Sequence, residues 1–292
     1  MNYIEPVFRP PSEWKSYILQ VTNGCSWNQC SFCEMYTAPQ KQFNFKPREE
    51  NRRELSLMSN LPQQPSRVFL ADGDAMTLSA RRLKEILLDI QEFLPNVNRV
   101  TSYCLPRNII NKSVEELSEL RNLGLKMVYV GCESGDDEVL AKIVKGETFA
   151  SSLAALTKLK AAGIKSSVMI LNGLGGQTLS KQHAINSARL MNKAQPEYLS
   201  TLVVSFPMGE ERFRKNFPEY QPLEQQQLFQ EMDWLLSELD LEKTIFRSDH
   251  ASNYLVLKGV LGQDKAKMLT KVRSALTMPG SIPLRQEWQR GL

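Results

Sequence analysis

Histidines, long apolar runs and a strong excess of charge are all missing or scarce in this 292-residue sequence. The only histidines are His183 and His250, and they do not have the spacing of a zinc finger. No run of about 18 apolar residues occurs, so we expect no membrane span and no membrane partner. The amino-terminal residues show no cationic stretch followed by an apolar one, so we expect no signal peptide.

Charge and cysteine usage narrow the class of protein further. The net charge is +4, from 36 basic and 32 acidic residues. That is too small to indicate a nucleic-acid partner by itself, so nucleic acid stays a minority interpretation. The five cysteines are an odd number and lack the spacing of a disulfide framework. Without an export signal, this usage favours a reducing, cytoplasmic location.

Three of the five cysteines, Cys25, Cys30 and Cys33, lie within nine residues. They follow an apolar run and the turn signal Asn23-Gly24, so we expect them on a loop that leaves a strand. Thiolates are soft ligands that select iron–sulfur clusters, zinc or Cu(I). A [4Fe–4S] cluster usually takes four cysteines, so three would leave one iron open, and an open position indicates chemistry. A zinc site would need a fourth ligand from elsewhere in the chain.

The rest of the chain alternates between short apolar segments and amphipathic ones. Predicted strands cover 17–22, 66–71, 98–103, 126–130, 166–171, 198–205 and 244–247, and predicted helices cover 48–60, 77–93, 113–123, 136–145, 149–162, 178–194, 222–240 and 263–276. This order predicts parallel βα units, with right-handed crossovers that place every strand's carboxyl end on one side. The polar and glycine-rich motifs follow the strands, so they should gather at one rim. Barrels and doubly wound sheets both bind ligands there.

The cysteine loop after the first strand resembles that of the radical S-adenosylmethionine (radical SAM) superfamily. The superfamily's usual spacing is C-x3-C-x2-C, whereas this chain has C-x4-C-x2-C. The second gap matches, including Phe32 directly before the last cysteine. Residues 71–75 (ADGDA) look like the family's Gly-Gly-Glu-type element, and residues 130–148 and 162–176 resemble its strand-four and strand-five regions. The resemblance covers about residues 17–205.

The resemblance implies an α/β fold, a partial (β/α)6 TIM-like barrel of the radical SAM type. Its expected parts are an amino-terminal arm (1–15), the barrel domain (16–255) and a carboxyl-terminal helical extension (256–292). It implies an enzyme in which a reduced [4Fe–4S] cluster cleaves S-adenosyl-L-methionine (SAM). The product is a 5′-deoxyadenosyl radical that acts on a substrate. An electron donor such as flavodoxin or ferredoxin is the expected partner.

The resemblance also implies the cofactor-binding residues. Cys25, Cys30 and Cys33 would hold the cluster. Asp74 would accept from the SAM amino group, and Lys145 would pair with the SAM carboxylate. The other expected SAM contacts are Phe32, Gly73, Glu133, Ser134, Asn172 and Gly173, with Glu133 and Ser134 beside the ribose.

Several interpretations remain open at the level of sequence. The chain could be a tRNA-modifying radical SAM enzyme, or a non-catalytic protein that binds an Fe–S cluster or zinc. Neither the substrate nor the reaction type is readable. No role is assigned to Cys104, Cys132, His183 or His250, although the loop 247–254 is a candidate substrate contact. The helix at 222–240 carries an apolar stripe typical of core packing.

Overall fold

The computed structural model describes residues 2–278 and 280–290. The predicted arm and extension each include residues outside this range: Met1, Pro279, Gly291 and Leu292. In chain order the strands are β1 (Tyr17–Gln20), β2 (Thr22–Asn23), β3 (Asn44–Phe45), β4 (Arg67–Ala71), β5 (Arg99–Cys104), β6 (Leu125–Glu133), β7 (Lys165–Asn172), β8 (Tyr198–Val203), β9 (Ile245–Ser248) and β10 (Leu257–Val260). The α-helices are α1 (Arg48–Ser59), α2 (Ala80–Phe93), α3 (Pro106–Ile110), α4 (Val114–Asn122), α5 (Asp137–Lys142), α6 (Phe149–Ala161), α7 (Gly176–Ala194), α8 (Glu211–Arg214), α9 (Gln225–Glu238) and α10 (Leu261–Thr277).

The chain forms two compact units. Unit 1 comprises Met1–Asn28, Cys33–Gly131 and Ala154–Ser166, and unit 2 comprises Gln29–Phe32, Cys132–Leu153 and Ser167–Leu292. The chain passes from one unit to the other five times: twice in the cysteine loop and once each in β6, α6 and β7.

Unit 1 contains a parallel sheet in the order β1-β4-β5-β6. Four of the five residues of β4 are buried, and they alternate in direction along the strand. A strand buried on both faces is the expected form in a parallel sheet covered by helices. The predicted alternation of strands and helices is confirmed here.

Unit 2 continues the parallel pattern through β7, β8 and β9. The last strand differs, because β10 pairs with β9 in antiparallel orientation, whereas we expected no strand after 247. Helix α9 packs against α7 and α10. Aromatic residues on and after α8 (Phe213, Phe217 and Tyr220) join α5 and the end of β7 in a buried apolar cluster.

The sequence predicts two helix caps: Thr77 for the helix after the turn at Asp72–Asp74, and the capping-box pattern Ser113-Val-Glu-Glu116 for the next helix. Ser113 and Glu116 form the predicted capping box of α4, with each side chain accepting from the other residue's backbone N–H. The prediction that Thr77 caps α2 is wrong, because Ala75–Thr77 forms a 3-10 turn. Ser79 caps α2 instead, accepting from Arg82 N at 3.4 Å.

Other predicted boundaries also shift. Strand β6 runs on to Glu133, where we expected a loop from Gly131. Helix α5 ends at Lys142 rather than at 145. The short helices α3 and α8 lie where the pattern indicated loops, because each is too short to show a helical period. Within the described residues, no helix is both long enough and apolar enough to cross a membrane.

Candidate functional site

The cysteine loop begins at a glycine that the fold requires. Gly24 has φ +68°, and a Cβ there would lie 2.2 Å from the backbone oxygen of Lys41. Only glycine fits such a position. Cys25 and Cys33 are half-buried, and Cys30 is 9% exposed.

The residues of the long first gap attach the loop to unit 1. The Ser26 hydroxyl donates to Asp74, and Trp27 stacks beneath the Arg107 guanidinium, 3.9 Å from its ring centroid. Asn28 adopts φ +40° and donates to the backbone oxygen of Tyr36 at 2.9 Å. The gap therefore does more than lengthen the loop, because its first side chain contacts Asp74, a predicted site residue, and the next two contact Arg107 and Tyr36.

Asp72 fixes the start of the loop. Its carboxylate accepts from Lys41 Nζ, from Gly24 N at 3.2 Å and from Gln20 Nε2 at 3.4 Å. Both members of the Lys41–Asp72 ion pair are fully buried. Burial raises the pKa of Asp72, and the hydrogen bond and charge of Lys41 oppose that rise. Lys41 lies within the polar segment 37–46, in which no sequence pattern predicts a buried lysine.

Asp74, the predicted partner of an amino group, is fully buried. Burial raises its pKa from 3.8 to about 6, although Ser26 and Asn108 hydrogen bonds work in the opposite direction. Its Oδ1 has no hydrogen-bond partner among the described residues. A buried carboxylate with one open oxygen is suited to receive a cationic donor. Gly73, beside it, has no room for a Cβ, which would lie 2.3 Å from the Tyr36 ring.

The three thiols of the cysteine loop are the candidate ligands of a metal cluster. Across residues 2–278 and 280–290, no three Cys, His, Asp or Glu side chains already converge as a ligand set. The chemistry of three thiols on one loop nevertheless fits a thiolate-bound cluster. Buried polar atoms beside the loop, Glu34 Oε2 and the Tyr36 hydroxyl, also lack partners in the described chain. Buried polar atoms are normally paired, so these fit a site that takes a bound group.

Unit 2 brings Glu133, Lys145 and Phe32 together. Lys145 Nζ lies 3.0 Å from Glu133 Oε1 and 5.9 Å from the Phe32 ring centroid, and both charges are buried. Burial lowers the pKa of Lys145, but the charges of Glu133 and Cys30 outweigh it and raise the pKa overall. Glu133 (φ +64°) and Val144 (φ +53°) both adopt left-handed backbone conformations. A β-branched residue seldom does so, and such strain is concentrated at functional sites.

Ser134 is engaged internally. Its hydroxyl lies 2.7 Å from His183 Nδ1 and accepts from Asp136 N at 3.0 Å. His183 Nε2 lies 3.0 Å from the Leu171 carbonyl oxygen, which can only accept, so Nε2 carries the proton and Nδ1 accepts from Ser134. His183 is buried, so it satisfies core groups, and Ser134 has one acceptor site left for a ligand.

The loop after β7 rests on a buried acid. Glu231 of α9 accepts from Gly173 N at 2.6 Å and from Ser180 Oγ at 2.5 Å. Burial raises the pKa of Glu231, and the hydrogen bonds from Ser180 and Gly173 oppose that rise. Asn172, the last residue of β7, is buried beside Gly173, which has φ +81°.

Cys104, Cys132 and His250 are held by burial or by hydrogen bonds to nearby residues. Cys104 Sγ donates to the Leu105 carbonyl at 3.2 Å. Burial raises the pKa of Cys132 to about 12, which keeps its thiol protonated in this apolar place. His250 Nδ1 accepts from Ser252 N at 3.1 Å within the loop after β9.

Sequence reasoning missed three buried groups that shape these surroundings: Lys41, Tyr36 and Glu231. Each lies far along the chain from the residue it contacts, so no local pattern marks it. The one available signal was Glu231, a lone charge inside the apolar stripe of α9.

Comparison with known proteins agrees with the fold and the loop. The sequence model described as "Radical SAM superfamily" matches residues 19–188. The heme chaperone HemW of Bacillus subtilis (strain 168) is 24% identical over 138 residues, which are 47% of this chain and 36% of HemW. The chain thus spans about a third of the length of this curated relative.

Two solved structures share the architecture. Coproporphyrinogen III oxidase (HemN) from Escherichia coli, described as a radical SAM enzyme, is 16% identical with a TM-score of 0.56, over 76% of this chain and 52% of HemN. The radical S-adenosylmethionine methyltransferase TsrM from Kitasatospora setae, solved with cobalamin and a [4Fe–4S] cluster, is 20% identical with a TM-score of 0.52. That match covers 64% of this chain and 36% of TsrM. These likenesses establish the predicted fold: mixed α/β, with the parallel central sheet of a TIM-like partial barrel.

Proposed function

The chain belongs to the radical SAM superfamily, and we propose that it is an enzyme that binds a [4Fe–4S] cluster and cleaves S-adenosyl-L-methionine reductively. The observation that carries the proposal is the cysteine loop. Three thiols follow β1 and β2 inside the family's matched region. Two of them, Cys25 and Cys33, belong to unit 1 together with Asp74, a buried carboxylate with an open oxygen. Three thiolates would leave one iron of the cluster open to SAM.

The proposed ligands follow from the residue chemistry. Cys25, Cys30 and Cys33 hold the cluster. Asp74 Oδ1 accepts from the SAM ammonium, and the buried Lys145 ammonium faces the SAM carboxylate. When bound and reduced, the cluster would supply the electron for cleavage of the C5′–S bond of SAM, and the cysteines, Asp74 and Lys145 would hold the cluster and SAM for that chemistry.

The hydrogen bonds that Glu133 and Ser134 already make decide which of the two is the better partner for the SAM ribose. Glu133 is charged and accepts from Lys145 through one oxygen, Oε1. Ser134 already donates its only hydroxyl proton to His183, so it serves SAM as an acceptor only. We therefore assign the main ribose contact to Glu133. Phe32, Gly73, Asn172 and Gly173 provide close-packed surface for the rest of the cofactor.

A reductive assay tests the proposal. The protein is reconstituted with iron and sulfide without oxygen, reduced with dithionite and given SAM. We expect 5′-deoxyadenosine and methionine in equal amounts. An intact cluster that yields no 5′-deoxyadenosine contradicts the proposal, and leaves a non-catalytic Fe–S protein as the interpretation.

The ligand assignment has its own test. Cys30→Ala should lose the brown chromophore and most of the bound iron. Cys104→Ala is the matched control, since it removes a buried thiol that is not assigned to the cluster, and its iron content should equal that of the wild type. Full iron content in Cys30→Ala would show that the ligands lie elsewhere.

We propose the partners of this protein only by their chemical class. A one-electron donor such as flavodoxin or ferredoxin would replace dithionite in the cell, and a cytoplasmic location would provide it. A tRNA substrate would be retained with a steep dependence on salt, so tRNA binding measured at two salt concentrations separates this alternative.

A second candidate function is heme carriage, which the likeness to the heme chaperone HemW favours. Of the two histidines, His183 has both ring nitrogens engaged in hydrogen bonds, which leaves His250 as the histidine able to bind iron. Titration with hemin should then give a Soret shift that His250→Ala removes. No shift with the wild type rejects this function.

A further inference from the structure

Tyr36 follows the last cysteine of the loop by three residues and is 5% exposed. Its phenol end packs on Gly73, where a Cβ would lie 2.3 Å from Cε2 and 2.8 Å from the hydroxyl oxygen. Phe8 meets the ring edge-on at 5.7 Å, and Lys41 Nζ lies 5.8 Å from its centroid. These contacts fix the direction of the ring and hold its hydroxyl beside the D-G-D turn.

The hydroxyl is buried without a hydrogen-bond partner in the described part of the chain. A buried tyrosine O–H normally has one, so this donor calls for an acceptor. The carboxylate of Asp72 does not take it: Asp72 Oδ2 accepts from Lys41, Gly24 and Gln20, and Asp72 Oδ1, like the Tyr36 hydroxyl, has no partner among the described residues. Burial first, then the charges of Asp72, Tyr103, Cys33 and Cys25, raise the pKa of Tyr36 well above its usual value, so it stays a donor.

We propose that the Tyr36 hydroxyl donates a hydrogen bond to an anionic acceptor of the cofactors bound at the cysteine loop. The acceptor is either a sulfur of the cluster or the carboxylate of SAM. Tyr36 is then a binding residue for the cofactors, outside the cysteine and D-G-D motifs. The inference rests on the proposed function, because it needs a bound cluster or SAM.

The two acceptors predict different measurements on Tyr36→Phe. A hydrogen bond to a cluster sulfur stabilises the reduced, more negative cluster, and donors to sulfur tune its potential. Its loss should make the cluster about tenfold harder to reduce without SAM, which is a shift of about 59 mV to more negative potential. A hydrogen bond to the SAM carboxylate leaves the potential unchanged and makes SAM binding about tenfold weaker.

Tyr17→Phe is the matched control. Tyr17 also has a buried hydroxyl without a partner in the described residues, but it begins β1, at the end of the strand away from the loop. Its variant should match the wild type in midpoint potential and in SAM affinity. The potential is read by redox titration with electron paramagnetic resonance, and SAM affinity by equilibrium dialysis of the reconstituted protein.

A third readout needs no cofactor. Without the cluster, Tyr36→Phe should unfold at the same or a higher temperature than the wild type, because it removes an unpaired buried hydroxyl. A Tyr36→Phe protein with wild-type potential and wild-type SAM affinity overturns the proposal, as do equal shifts in Tyr36→Phe and Tyr17→Phe. A wild type that holds no cluster and cleaves no SAM rejects the proposed function instead, so the two failures are distinct.

Discussion

Asp74 illustrates how burial sets the charge of one residue. Its folded pKa is about 6, against an ordinary value of 3.8, with burial the main cause. The folded protein therefore binds this proton more tightly than the unfolded chain does. The free energy of unfolding should fall as pH rises from about 4 to about 6, and the ionised carboxylate then costs about 3 kcal/mol at neutral pH.

Asp74→Asn tests this linkage in the protein without cofactors. The amide does not titrate, so the variant should be more stable than the wild type by about 1–3 kcal/mol at pH 7.5. The difference should vanish towards pH 4. Urea unfolding at both pH values measures it. In the separately reconstituted protein, the same substitution should abolish SAM binding, because the ammonium loses its anionic partner. Asp240→Asn, at an exposed position, is the control, and its difference in stability from the wild type should be the same at both pH values. A stability effect of Asp74→Asn that does not depend on pH would contradict the raised pKa of Asp74.

At this scale the sequence predicted residues that carry a motif, and missed those that support one. Asp74 was found because it lies in a recognisable turn after a strand. Lys41 was not, since it contacts Asp72 across 31 positions of chain with no periodic pattern between them. The Glu133–Lys145 pairing was also unpredicted, although both residues were named, because it depends on two residues with left-handed backbone.

Among the elements, helix α2 shows where sequence rules stop. Thr77 and Ser79 are both acceptable capping residues, and only the turn geometry at Ala75–Thr77 decides between them. Periodic apolar positions predicted the body and the end of this helix correctly. Its first residue depends on how the chain leaves the D-G-D turn, which is a tertiary constraint.

The start of α2 can be tested by a pair of substitutions. Ser79→Ala should lower the free energy of unfolding by about 1 kcal/mol, because Arg82 N loses its acceptor. Thr77→Ala should change it by less than about 0.5 kcal/mol. Chemical denaturation of both variants measures this, and a larger loss in Thr77→Ala would return the cap to the position predicted from the sequence.

Helix α9 has a second function besides closing the core, because Glu231 interrupts its apolar stripe to hold the loop after β7. Glu231→Ala would leave Gly173 N and Ser180 Oγ without their acceptor in a buried place. We expect a loss of about 2–4 kcal/mol in stability and weaker SAM binding. Glu231→Gln retains an acceptor and should lose less than half as much. Glu238→Ala, exposed on the same helix, is the control, and equal losses in Glu231→Ala and Glu238→Ala would contradict the anchoring role.

For the whole molecule, both predicted terminal segments are built into the units they belong to. In unit 1 the Tyr3 hydroxyl donates to Ile18 O at 2.7 Å, and Lys41 donates to Ile4 O at 2.8 Å. In unit 2 the segment after α10 returns to the loop between β9 and β10 through Arg285 and Arg290. The amino-terminal arm has no hydrophobic period, and neither do the residues after α10, so no sequence pattern indicated these contacts. These contacts are long-range hydrogen bonds, which leave no trace in local composition.

Arg285 allows the carboxyl-terminal contact to be tested. Its guanidinium donates to the backbone oxygens of His250 at 2.6 Å, Asn253 at 3.0 Å and Asp249 at 3.1 Å. Arg285→Met removes all three bonds while retaining most of the apolar stem, so residues 249–254 should exchange their amide hydrogens about tenfold or more faster. Hydrogen exchange with mass spectrometry measures this, with the exposed Arg247→Met as control, since that guanidinium only reaches 4.0 Å from Asp249. Unchanged exchange over 249–254 in Arg285→Met would mean that the loop holds its shape without the carboxyl-terminal segment.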